Sequence, residues 1–94
     1  MRYLQASGIS VSKGYEKITG LSAAKPLTVP SGARAALVVP EGGAVRFRDD
    51  GTDPDASTGF PIAEDQPFEF SGNLRSVKLI QKSSTVTLHV YYYV

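Results

Sequence analysis

No cysteine occurs in the 94 residues, so neither a disulfide framework nor a thiolate zinc site can form. That absence fits a reducing compartment. Histidine appears once, at His89, which rules out histidine-cluster metal sites. No apolar run approaches the roughly 20 residues that a membrane helix requires. The first residues also lack the basic, apolar and small-residue order of a secretory signal. The chain therefore reads as soluble and unprocessed, with no membrane contact expected. Helical spacing of apolar residues is nearly missing as well, and alternation with a period of two takes its place.

What is present suits one small domain spanning residues 1–94. A chain of this length buries only about 60–65% of its unfolded surface, so contacts with other copies would help its modest core. The net charge of +1 hides a segregation. Residues 1–40 carry Arg2, Lys13, Lys17, Lys25 and Arg34 against Glu16, a balance of +4. Residues 41–69 set Arg46 and Arg48 against eight carboxylates, a balance of −6, and residues 70–94 return to +3. Charges of this kind ordinarily stay solvated and mix once the sheets assemble; where folding gathers them, blocks of opposite sign can attract one copy to another.

Turn residues recur at roughly the 8–12-residue spacing of sandwiches and barrels. Between them lie candidate strands at Arg2–Ser7, Tyr15–Gly20, Leu27–Val29, Ala33–Val39, Ala44–Arg48, Phe60–Ile62, Phe68–Ser71, Ser76–Gln81 and Thr85–Tyr93. Gly20–Lys25 has the makings of a helical turn that Pro26 stops. The pattern predicts an all-β fold, a small β-sandwich or jelly roll of about eight antiparallel strands with sheets about 10 Å apart. Its core should hold Val45, Phe47, Phe68, Phe70, Val77, Leu79, Val86, Leu88 and Val90. In the last strand Val86, Leu88, Val90, Tyr92 and Val94 share the core side, with Thr85, Thr87, His89, Tyr91 and Tyr93 opposite.

Ala33–Val39 is apolar on both faces, which places it either centrally or against a second subunit. Together with the tyrosine-bearing second face of the last strand, this makes Leu37, Val38, His89, Tyr91 and Tyr93 the interface candidates, and a homo-oligomer the expectation.

Catalytic constellations are harder to find. His89 has only Thr87 and Tyr91 as same-face neighbours on its own strand, and no nucleophile-elbow motif accompanies it. Asp49, Asp50, Asp53 and Asp55 raise the question of calcium, yet their spacing fails the EF-hand pattern. They read instead as turn formers, with Arg46 or Arg48 pairing with Asp49, Asp50 or Asp53. Basic residues are scattered and form no stripe, so nucleic acid is not an expected partner. No glycine motif opens a helix to cradle phosphate. No enzyme activity, cofactor or metal is expected.

The run Arg46-Phe47-Arg48-Asp49-Asp50-Gly51-Thr52-Asp53-Pro54, followed by Ser57-Thr58-Gly59-Phe60-Pro61, resembles small bacteriophage and prophage structural proteins. Tyr15-Glu16-Lys17-Ile18-Thr19 before Leu27-Thr28-Val29-Pro30-Ser31-Gly32-Ala33, and the closing Leu88-His89-Val90-Tyr91-Tyr92-Tyr93, are similar too. The resemblance spans roughly residues 15–93, with Asp55 departing from the threonine expected after Pro54. It implies a non-enzymatic virion component: a capsid decoration, a head–tail joint, or a tail or fibre part. Its partners would be copies of itself and other virion proteins, assembled after synthesis in the bacterial cytoplasm. The rival expectation is a carbohydrate- or surface-binding β-module using Tyr91, Tyr93 and Phe60.

Overall fold

Several strands, Val45–Arg48, Phe68–Ser71 and Thr87–Tyr93 among them, alternate β-branched or aromatic residues with polar ones, and Gly, Pro, Asn or Asp marks many of the turns between strands. The computed structural model describes residues 11–94; the candidate strand Arg2–Ser7 lies outside them. Among the described residues eight strands form: β1 (Ser12–Ile18), β2 (Lys25–Pro26), β3 (Ala35–Glu41), β4 (Val45–Arg48), β5 (Phe60–Ile62), β6 (Phe68–Ser71), β7 (Lys78–Gln81) and β8 (Thr87–Tyr93). One 3-10 turn, Leu74–Ser76, precedes β7.

The pairing explains the wind. β4 pairs with β5, β3 with β6, β2 with β7 and β1 with β8, all antiparallel, as in one long hairpin whose tip is the loop after Arg48. Rolling that hairpin brings β3 against β8 and β4 against β7. Two four-stranded sheets result, ordered β1-β8-β3-β6 and β2-β7-β4-β5. This is the jelly-roll arrangement.

Between the sheets lie Ala36, Val38, Val45, Ile62, Phe70, Val77, Leu79, Val86, Leu88, Val90 and Tyr92, each under 9% exposed, joined by Leu21, Leu27 and Leu74 from the connections. Phe47 and Phe68 are half-buried at the margin of this core. They close the β5/β6 side as part of a ring cluster: Phe47 meets Phe70 edge-on at 4.7 Å, and Phe60 reaches Phe68 at 5.8 Å. The β1/β2 side closes differently. Glu16 points inward there, accepting the Tyr92 hydroxyl at 2.7 Å and the Thr28 backbone N–H at 3.2 Å.

Several expectations need correction. Val38 is fully buried in the core and cannot be a contact residue, because the inward set of β3 is Ala36, Val38 and Pro40. Val94 is 43% exposed, since the strand ends before its side chain reaches the core. β1 begins at Ser12, ahead of the Tyr15 start that the sequence suggests, and takes in Ser12-Lys13-Gly14, where the register shifts between Ser12 and Gly14. Gly14 takes φ of +151° there, so the glycine serves a bulge and not a reversal. The second strand is Lys25–Pro26, not Leu27–Val29, and no helical turn precedes it. Pro26 fits because β2 is an edge strand with a side that needs no donor. Ser76 belongs to the 3-10 turn, not to β7. β3 runs on through Pro40, whose carbonyl accepts Asp65 N–H at 2.8 Å beyond the end of β6. The ring nitrogen faces that same side, so no ladder bond is lost.

Candidate functional site

The outer face of the β1-β8-β3-β6 sheet gathers Tyr15, Tyr91, Tyr93 and the histidine. Alternation along β8 turns Thr87, His89, Tyr91 and Tyr93 outward while Leu88, Val90 and Tyr92 face the core. The register sets Tyr15 of β1 beside Tyr91, and Tyr91 beside Leu37 of β3, which in turn pairs with Glu69 of β6. A second row runs from Lys17 through His89 to Val39. Tyr15 and Tyr91 remain 51% and 46% exposed, with ring centroids 5.3 Å apart; Tyr91 and Tyr93 are 6.1 Å apart. Leu37 is only 7% exposed, a floor to the face and not a protrusion.

His89 sits between two partners contributed by other strands. Tyr15 Oη lies 2.6 Å from Nδ1, and Glu41 Oε1 lies 2.7 Å from Nε2. A carboxylate only accepts, so Nε2–H donates to Glu41 and Nδ1 of the neutral ring accepts the Tyr15 hydroxyl proton. The order hydroxyl, imidazole, carboxylate is that of a nucleophile relay. Here the phenol stands on an open sheet face, and the relay fixes the Tyr15 ring, which stacks on His89 at 6.0 Å and 22°. Sequence reasoning missed both Tyr15 and Glu41. They lie 74 and 48 residues from His89, and only strand register brings them together.

The acidic loop belongs to the other sheet. Arg46 and Arg48 alternate outward from β4 while Val45 and Phe47 face in, as their spacing predicts. Arg48 forms a bidentate pair with Asp50, Nε to Oδ1 at 3.0 Å and Nη2 to Oδ2 at 2.6 Å. Arg46 pairs with no carboxylate; its guanidinium donates to the carbonyls of Ala56 and Gly59, both at 3.0 Å. Asp53 meets Lys78 at 3.0 Å. Asp55 accepts Ser57 N–H and Oγ–H at 2.9 and 3.0 Å, closing a small turn whose backbone bonds join Asp55 to Thr58. Gly59 permits the return: a Cβ there would lie 3.0 Å from Arg46 Cβ and 3.2 Å from Pro54 Cβ, at a φ of +145°.

These carboxylates therefore turn to different partners. Among the described residues no three acids or histidines converge as a metal site. Asp49 is exposed at the mouth of a shallow groove of about 360 Å³ that Phe47, Arg48, Thr58 and Phe60 help to line.

The Arg48 guanidinium holds the Asp50 carboxyl down at about 2. Arg48→Gln should raise the Asp50 midpoint most of the way toward the usual aspartate value of about 3.9 in a carboxyl NMR titration, the Thr52 backbone N–H still holding it somewhat below. A midpoint still near 2 would mean that the loop backbone, and not Arg48, sets it.

Comparison of the chain with protein-family models, with curated proteins and with solved structures gives no match.

Proposed function

We propose that this chain is a non-enzymatic structural domain of bacteriophage virions, working in multiple copies as a capsid decoration, head–tail joint or tail component. The observation that carries the reading is the outer face of the β1-β8-β3-β6 sheet, where Tyr15, Tyr91, Tyr93 and His89 stand exposed or half-exposed over Leu37 and Val39. Tyrosines combine large contact area with a polar tip and suit a surface that is wet before assembly and covered after it. The jelly roll is compatible with this use, being an architecture of viral capsid domains and also of lectins.

That second use keeps a glycan-binding reading in view, but the rings argue against it. Tyr15 and Tyr91 tilt by 51° and Tyr91 and Tyr93 by 36°, so they offer no common plane on which a sugar chain could lie.

Multi-angle light scattering at rising concentration tests the proposal. Wild type should form a defined assembly, and the Tyr91→Ala, Tyr93→Ala double variant should weaken it by about 2 kcal/mol or more. A chain that stays monomeric, even when mixed with other virion proteins, and that a glycan resin retains would favour the binding module instead.

A further inference from the structure

The charges on the tyrosine face are polarised across the strands, and that polarity selects a partner. Lys17 stands outward on the β1 margin, beside the aromatic row. Glu69 stands outward on β6, the opposite margin, held there because Phe68 and Phe70 on either side of it turn inward. Both are exposed. The two edge strands are separated by β8 and β3, roughly 14 Å across at about 4.8 Å per strand. The middle of the face falls between Tyr91 and Leu37, which are register partners.

Resting on the multi-copy reading above, we infer that this face docks on the same face of a second copy, about a two-fold axis running parallel to the strands. The choice of axis follows from the charges. A two-fold axis along the strands lays β1 of one copy over β6 of the other. Tyr91 then meets the partner's Leu37, and the Lys17 margin meets the Glu69 margin twice, each lysine reaching diagonally because it stands one row along from Glu69. An axis across the strands would instead lay β1 on β1 and β6 on β6, so that the basic margin faces a basic margin and the acidic one an acidic one, an arrangement that like-charge repulsion opposes. Sheets packed face to face keep their strands within about 30° of one another, which both axes satisfy, so the charges decide between them. The Tyr15–His89–Glu41 bonds pre-order the aromatic row, which lowers the side-chain entropy lost on docking.

A charge swap tests the inference. Lys17→Glu should weaken association roughly tenfold in sedimentation equilibrium at low salt, because the substitution acts at both symmetric contacts. Adding Glu69→Lys in the same chain rebuilds each pair with reversed sign and should return the affinity to within about threefold of wild type. Both positions are exposed, so the fold tolerates the changes, and circular dichroism checks this. Restoration in the double variant supports the pairing. A wild type that assembles while all variants assemble equally well overturns the pairing yet leaves the multi-copy reading standing through another surface. A single-charge defect that the double variant does not rescue also overturns it. A wild type that is monomeric at millimolar concentration removes both.

Discussion

Phe70→Ala is expected to lower the free energy of unfolding by about 3–5 kcal/mol, a large share of the total for a domain of this size. Phe70 is 6% exposed and faces Phe47 edge-on at 4.7 Å and Phe68 at 5.0 Å. Its removal leaves a cavity where the β5/β6 side of the sandwich closes, and the neighbours cannot collapse into it because their own strands are paired in both sheets. Phe60 supplies the control. It belongs to the same cluster but is 58% exposed, so Phe60→Ala should cost no more than about 1 kcal/mol, chiefly through its edge contacts. Urea unfolding with matched m-values separates the two. Equal losses for both variants would show that the cluster is a surface feature and not the closure of the core.

That closure was half visible in the sequence. Phe60–Ile62 and Phe68–Ser71 were legible to the residue, because each is a short alternating run fenced by Gly, Asn, Asp or Pro. The core followed from the same alternation. What alternation cannot supply is which side of a two-faced apolar run turns inward. In Ala35-Ala36-Leu37-Val38-Val39 both sets are apolar, and only the pairing with β6 and β8 decides that Val38 faces the core and Leu37 does not. Gly14 illustrates a second limit. A Lys-Gly pair signals a turn or a bulge equally well, and the choice depends on β8 lying alongside.

The candidate site was legible on one strand and hidden across strands. His89, Tyr91 and Tyr93 declare their common face by spacing alone. Their completion by Tyr15, Glu41, Lys17 and Glu69 needs the register of four strands, and no local pattern encodes it. The loop behaves likewise. Arg48 and Asp50 are close enough in sequence to be paired by inspection. Arg46 instead binds carbonyls, which every residue carries and which therefore leave no mark in the side-chain sequence.

The opposite side of the sandwich, where Glu16 accepts the Tyr92 hydroxyl and the Thr28 N–H, should govern stability at high pH. Tyr92 is 1% exposed, and burial, with the Glu16 carboxylate second, pushes its phenol well above the ordinary value of 10.0. The folded chain therefore keeps a proton that the unfolded chain gives up near pH 10. Below that pH both states hold the proton and the contribution is complete; above it, stability falls by up to about 1.4 kcal/mol per pH unit until the folded phenol also titrates. Tyr92→Phe should lose only about 1 kcal/mol at pH 7, one hydrogen bond, while flattening this alkaline limb. Glu16→Ala should cost more at neutral pH, about 1–3 kcal/mol, because it strands a buried donor and leaves Thr28 N–H without its carboxylate. Glu16→Gln keeps an acceptor for the phenol but removes the charge, so it should reduce the rise at Tyr92 without stranding the donor. Denaturant midpoints from pH 7 to 11 for the four chains resolve these effects. An alkaline limb in Tyr92→Phe as steep as in wild type would place the titrating group elsewhere, among the exposed tyrosines and lysines, and would end this account of how the β1/β2 side is held.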